Sequence, residues 1–156
     1  MPREAPLSPT QAFARGKGKV ANISKSAKRK PFTRNRRISV LVVDDVADVT
    51  EMIALLLKHA GYAVITADSA AAALEIARNR TFDLIISDIG MPEMNGYELA
   101  TTLRSHADYQ NIPIVAVTGY SEYDDRSRAL EAGFNAHLTK PIDPTRLLDL
   151  MNDLLS

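Results

Sequence analysis

Cysteine is absent from all 156 residues. That excludes a disulfide framework and a thiolate metal site, and it suits a reducing, cytoplasmic setting. Long apolar runs are absent too. None approaches the roughly 18 residues of a membrane span, and the N-terminus lacks the hydrophobic core of a secretory signal. No internal repeat is visible. Acid is nearly missing from the first 37 residues, where eleven Lys/Arg stand against the single acid Glu4. Residues 38–156 reverse this, with eight Lys/Arg and eighteen Asp/Glu. A formal net charge of zero therefore conceals about +10 joined to about −10, the mark of an interaction tail on an acidic globule.

The tail stretch "GKGKVANISKSAKRKPFTRNRR" has few large apolar residues and neither a helical nor a strand period. It cannot bury enough surface to offset the entropy of ordering, so residues 1–37 are expected to be disordered. Nucleic acid or an anionic membrane surface is the partner such a segment would attract. A solvated linker, an Arg- and Ser-containing targeting peptide and a misassigned start codon are the other readings. The rest of the chain, 38–156, is read as one domain, and the apolar share of 46% suffices for a core.

Within that domain apolar runs alternate with amphipathic stretches. "ISVLVV" (38–43), "YAVITA" (62–67), "DLIIS" (83–87), "IPIVAV" (112–117) and "AHLT" (136–139) read as strands. Helices are expected between and after them. "ADVTEMIALLLKHAG" follows the first strand, with Val49, Met52, Ile53 and Leu56 on its inner face and Gly61 placed to end it. "AAAALEIARNR" follows the cap types Asp68 and Ser69. "NGYELATTLRSH" (95–106) starts at the cap residue Asn95. "YDDRSRALEAG" (123–133) is stopped by glycine. "DPTRLLDLMNDLL" (143–155) begins with Asp143 and then Pro144. The βα alternation predicts an α/β, doubly wound, five-stranded parallel sheet, (βα)5, with helices on both faces. Ligands in such sheets sit beyond the carboxyl ends of the strands.

The strand ends read Asp44-Asp45, Asp88, Thr118 and Lys140. Three carboxylates in one cleft repel and raise each other's pKa. A hard divalent cation relieves this, and Mg2+ favours one or two carboxylates plus a phosphate oxygen. Lys140 supplies a fixed positive charge opposite. A carboxylate so placed is equipped to attack a phosphoryl group and become an aspartyl phosphate. Asp88 stands alone after the central strand and is the candidate acceptor. Asp44 and Asp45 are adjacent and suit the metal, and Gly119 leaves room for the phosphate. Taken singly, each feature has a bland reading: a helix N-terminal acidic pair, a strand-end hydroxyl, a solvated lysine, and a turn at "MPEMNG".

The pieces "LVVDD" (41–45), "SDIGMPEMNGYEL" (87–99), "VAVTGY" (115–120) and "HLTKP" (137–141), in this order, make the stretch from about Ile38 to Leu155 resemble the receiver domain of bacterial response regulators, the chemotaxis-regulator-like domain. The resemblance implies a flavodoxin-like strand order of 2-1-3-4-5. It implies Asp88 as phosphoacceptor, and Mg2+ held by Asp44, Asp45, Asp88 and the Gly90 carbonyl. Thr118 would contact the phosphoryl group, Lys140 would be the paired lysine, and the Lys140–Pro141 bond would be cis. Such a domain is not an enzyme in the ordinary sense, since it promotes only its own phosphorylation and dephosphorylation. Its partners would be a sensor histidine kinase or histidine phosphotransfer protein, a downstream target protein, and a second copy in a homodimer. With no output domain after Ser156, the expectation is a single-domain regulator.

Two positions depart from the family's pattern. Its usual switch aromatic is His137 here, where a charged ring would resist burial. The residue two after the acceptor, which affects phosphoryl lifetime, is Gly90. That glycine also counts against a haloacid-dehalogenase-type phosphohydrolase, which carries its acid at that place. Two aspartates after the first strand count against a flavin-phosphate binder. The competing reading is an unphosphorylated pseudo-receiver that serves as a protein docking module.

Overall fold

Five parallel strands and five helices alternate along the chain in a computed structural model that describes residues 36–119 and 126–156. The expectations for the basic segment, Arg36 and Arg37 apart, lie outside the described residues. So does the first turn expected of the fourth helix. The elements are β1 (Ser39–Val43), α1 (Ala47–His59), β2 (Ala63–Ala67), α2 (Ala70–Asn79), β3 (Leu84–Asp88), α3 (Gly96–Arg104), β4 (Ile114–Thr118), α4 (Arg126–Ala132), β5 (Ala136–Thr139) and α5 (Pro144–Leu155). Their spatial order is β2-β1-β3-β4-β5, the order 2-1-3-4-5. Every pairing is parallel, with Val40 beside Leu84, Ile85 beside Ile114, and Val115 beside Ala136.

Alternation along the inner strands builds two cores. Val40, Val42, Leu84, Ile86, Val115 and Val117 face α1 and α5, where Ile53, Leu57, Leu147 and Met151 meet them. Leu41, Val43, Ile85, Ile114 and Ala116 face the other way, onto Ala73, Leu99, Leu103 and Phe134 of the opposite layer. Inner strands covered on both faces are apolar throughout, and β3 and β4 are buried at every residue. The edge strands differ. β2 is half-buried with Thr66 exposed, and β5 alternates.

Helix ends follow local chemistry. Ser69 Oγ accepts from Ala72 N–H at 3.0 Å and caps α2. Asn95 and Glu98 form a reciprocal capping box at α3, with both bonds 2.9 Å long. Asp143 Oδ1 accepts from Thr145 N–H, and Pro144 opens α5. After α1, Gly61 takes φ +103°, a left-handed value that suits glycine at a helix end. The third helix is shorter than expected. It stops at Arg104, and a 3-10 turn, Ala107–Tyr109, follows.

The inward face of α1 is also rotated from the expected one. Thr50, Ile53, Ala54 and Leu57 are its buried residues. Met52 is 39% exposed, so its place on the inner face is corrected. Met52 lies at the border of the side that Asp48, Glu51, Lys58 and His59 keep in water, one position from the buried Ile53, and apolar spacing alone cannot place such a border residue.

Arg104 ties the third helix to the strands beyond it. Its guanidinium donates to the carbonyls of Tyr109 (2.8 Å), Ile112 (2.7 Å) and Gly133 (2.6 and 3.0 Å) and to Asn135 Oδ1 (2.8 Å). Asn135 Oδ1 in turn accepts from Ile114 N–H, the first residue of β4. Residues Arg37–Ser156 form one unit, and no described helix is long and apolar enough to cross a membrane.

Candidate functional site

The carboxyl ends of β1, β3, β4 and the residue after β5 bring the chemistry-bearing side chains to one end of the sheet. Parallel pairing with matched registers leaves no alternative, because a residue just past one strand lies beside the residue just past its neighbour. Asp88 pairs with Val117, and Thr118 pairs with Thr139, one residue before Lys140. Lys140 N–H donates to Thr118 O at 2.7 Å, which fixes the fifth strand's end against the fourth. The Lys140–Pro141 bond is cis.

Asp44, Asp45 and Asp88 each offer one carboxylate oxygen, and the three oxygens lie within 4.8 Å of one another. Asp44 and Asp88 are buried, at 2% and 6% exposure, whereas Asp45 is exposed. Lys140 Nζ sits 3.1 Å from Asp44 Oδ2 and 3.4 Å from Asp88 Oδ1. Asp44 Oδ1 accepts from Val46 N–H at 2.9 Å. Its Oδ2 has the ion pair but no hydrogen bond of good angle. Burial first, and the Asp44 charge second, push the Asp88 carboxyl above its ordinary value, and Lys140 only partly offsets them. Burial alone would lower the Lys140 ammonium. The bond and charge of Asp44 with the charge of Asp88 outweigh that, so its pKa is raised.

This donor set suits a hard divalent cation. Its atoms are all carboxylate oxygens, and three of them gather within 4.8 Å of one another. Thr118 is the second unsatisfied group. Its Oγ1 is buried and has no hydrogen-bond partner among the described residues. Buried hydroxyls are ordinarily bonded, so this one stands out at the strand ends.

Gly90 lies exposed in the loop after Asp88, with nothing near the place a Cβ would take. His137 is exposed on β5 and stands apart from the acids. With Thr118, Ala116 and Tyr97 it lines a cavity of about 440 Å3 under α4 whose walls include none of the three aspartates.

Gly96, expected at the end of the turn "MPEMNG" and the start of the third helix, makes a close backbone contact beneath the site. A Cβ there would collide with the Asp88 carbonyl oxygen and come within 2.8 Å of Ile89 Cα. The first residue of α3 thus rests directly on the backbone of the central strand's end, and Gly96 N–H donates to Ile89 O at 2.8 Å. The signal was the glycine itself, at a place where two backbones touch.

Residues 40–152 match the response regulator receiver domain. An uncharacterized 14.6 kDa protein of Leptolyngbya boryana is 37% identical over 115 residues, covering 74% of this chain and 88% of that one. The polar-differentiation response regulator DivK of Brucella ovis is 32% identical over 117 residues, 75% of this chain and 95% of its own. The phosphate regulon transcriptional regulatory protein PhoB of Pseudomonas aeruginosa is 35% identical, and the match spans 75% of this chain but only 51% of PhoB. Among solved structures, the chemotaxis protein CheY4 of Vibrio cholerae superposes with a TM-score of 0.74 at 33% identity, over 76% of this chain and 99% of that one. The receiver domain of the sensor histidine kinase PA1611 of Pseudomonas aeruginosa, which has a magnesium ion in its active site cleft, gives 0.71 at 26% identity, over 76% and 98%. With its sheet order and the acid–lysine cluster at the strand ends, this chain belongs to the response regulator receiver domain family of two-component signalling.

Proposed function

We propose that this domain accepts a phosphoryl group on Asp88 from a histidine kinase or histidine phosphotransfer protein and that the modification switches its binding to a downstream target. The observation that carries the reading is the grouping at one strand end. A buried carboxylate, Asp88, has a lysine ammonium 3.4 Å away. Two further carboxylates stand beside it, and an unpartnered hydroxyl lies at the next strand end.

Asp44, Asp45 and Asp88 would hold Mg2+, with the Gly90 carbonyl as a further oxygen, as the magnesium-bearing PA1611 receiver suggests. When bound, the cation supplies positive charge against the negative charge that gathers on the transferring group. An Asp88 oxygen attacks phosphorus, forming a P–O bond as the P–N bond to the donor's imidazole breaks. The electron pair leaves on that imidazole. Lys140 faces the phosphoryl oxygens with its ammonium, and Thr118 offers them its hydroxyl. Forming the acyl phosphate moves the negative charge from the Asp88 carboxylate to the phosphoryl oxygens, and the Lys140 ammonium shifts its pairing to them. Thr118 moving toward the phosphate opens room on its cavity side, where His137 stands at the position of the family's switch aromatic.

Incubation with acetyl phosphate and Mg2+, read by intact mass, tests this. One phosphoryl group should add to the chain. Asp88→Asn and chelation of the metal should each abolish the addition. Phosphorylation that persists in Asp88→Asn overturns the site. No addition to the unaltered chain favours a docking module instead.

A further inference from the structure

Ser87 is a hydroxyl set in an apolar layer. The matched registers run one row across the sheet through Ala67, Val43, Ser87, Ala116 and His137. All but His137 are buried, and Ala67, Val43 and Ala116 belong to the core that meets α2 and α3. Ser87 is 1% exposed among them. Alanine or valine would suit such a place better on packing alone, because a hydroxyl taken out of water without a partner is costly. The partner here is the next carbonyl along the chain: Ser87 Oγ donates to Asp88 O at 2.9 Å.

That carbonyl is one half of the peptide group joining Asp88 to Ile89. The other half, Ile89 N–H, donates to Val117 O at 3.2 Å. A peptide group is planar and stiff, so bonds to both of its polar atoms fix its plane. Gly96 closes a further side, since a Cβ there would collide with the same Asp88 oxygen. The following carbonyl, Ile89 O, accepts from Met91 N–H at 3.0 Å and from Gly96 N–H at 2.8 Å. The plane of the Asp88–Ile89 peptide governs two directions. On one side it orients the bonds at Asp88 Cα, from which the carboxylate hangs. On the other it sets where the chain carries the Gly90 carbonyl. Both groups belong to the proposed Mg2+ donor set.

We infer that Ser87 is a positioning residue of the acceptor site: its hydroxyl locks the Asp88–Ile89 peptide and, through it, the Asp88 carboxylate and the Gly90 carbonyl. The inference rests on the reading of Asp88 as phosphoacceptor. Its rival is that serine serves only as a small residue beneath α3, a task that alanine performs equally well.

Two substitutions separate these. Ser87→Ala keeps the small size and removes the bond. Ser87→Thr keeps the hydroxyl and adds the β-branching that strands favour. Mg2+ alone, titrated into the full chain by NMR, should bind Ser87→Ala about tenfold more weakly. Acetyl phosphate at saturating Mg2+ should phosphorylate that variant about tenfold more slowly, short of the roughly hundredfold loss that a misplacement of about 1 Å brings. Amide exchange at Ile89 should quicken, because the loosened peptide holds Val117 O less firmly. Ser87→Thr should restore all three. Should its methyl prevent folding, Ser87→Cys, close in shape and a weak donor, takes its place and should fall between serine and alanine. A folded Ser87→Ala with unaltered Mg2+ affinity and phosphorylation rate overturns the inference. So does a folded threonine or cysteine variant that does no better than Ser87→Ala. If the unaltered chain takes up no phosphoryl group, the acceptor reading fails instead, and Mg2+ affinity then decides whether Ser87 positions the cluster.

Discussion

A single carboxylate, Asp88, concentrates the cost and the use of the site. Its pKa is raised from the ordinary 3.8, so the folded state binds its proton more tightly than the unfolded chain does. No penalty exists below the ordinary value. It grows as pH rises from the ordinary value through the raised one and is complete above it. Without a divalent cation, Asp88→Asn should therefore raise Tm at pH 7, by about 2–5 °C, and the gain should vanish toward pH 3. Calorimetry across pH in the presence of a chelator measures this. Added Mg2+ should narrow the difference, because the unaltered chain alone gains by mass action, about 2.7 kcal/mol at a hundredfold excess over Kd. An Asp88→Asn variant less stable than the unaltered protein at pH 7 would show that the cluster's repulsion is already relieved by other means. Thr118 belongs to the same scale. Its hydroxyl could be read in the sequence as a strand-end group, but that it has no hydrogen-bond partner among the described residues is a fact of three dimensions.

Elements convert these residues into a fixed site, and two of their junctions separate stability from function. Arg104 satisfies three backbone carbonyls at the junction of α3, the 3-10 turn and the α4–β5 connection. Arg104→Ala leaves those carbonyls unpaired and should cost about 3 kcal/mol, with phosphorylation of the folded fraction unchanged. Gly96→Ala forces the first residue of α3 off the Asp88 backbone. It should cost a comparable 1–3 kcal/mol or so and also slow phosphorylation, since the displaced atoms belong to the end of the strand that carries Asp88, the proposed acceptor. Denaturant titration paired with phosphorylation rates distinguishes the two, and equal rates in both variants would deny Gly96 its positioning role. Neither junction could be read in advance. Arg104 bonds mainly to backbone carbonyls, whose positions no residue identity announces. The strands were legible because inner strands covered on both faces must be apolar, and the caps Ser69, Asn95 and Asp143 because their side chains compete for free N–H groups. Strand ends then gave Asp44, Asp45, Asp88, Thr118 and Lys140 together, since parallel order delivers every strand's carboxyl end to one edge. Met52 of α1 was misplaced because it borders the charged side of its helix, where spacing alone does not decide burial.

At the scale of the whole molecule the sequence divides into a basic segment and an acidic domain of nearly equal and opposite charge. Residues 25–37 hold seven Lys/Arg and no acid. Each phosphate that such a segment neutralises releases a counterion, so binding to duplex DNA should fall with salt along a log–log slope approaching about −6 if all seven engage. Contacts of this kind go to phosphate rather than to base edges and carry no sequence preference. Phosphorylation of Asp88 changes the field only within a Debye length, about 8 Å at physiological salt. The acceptor site and the basic segment are therefore proposed to work independently, the segment as a constant anchor and the domain as the regulated part. Comparing the full chain with one that begins at Ile38 tests this. Both should take up phosphate from acetyl phosphate at the same rate, and only the full chain should retard labelled DNA at low salt, alike whether phosphorylated or not. Binding to anionic vesicles in place of DNA would assign the segment to a membrane surface. If neither polyanion binds even at low salt, the anchor is excluded and the segment serves as a linker. If phosphorylation of Asp88 changes DNA affinity by more than about twofold, the two halves communicate through more than screened charge.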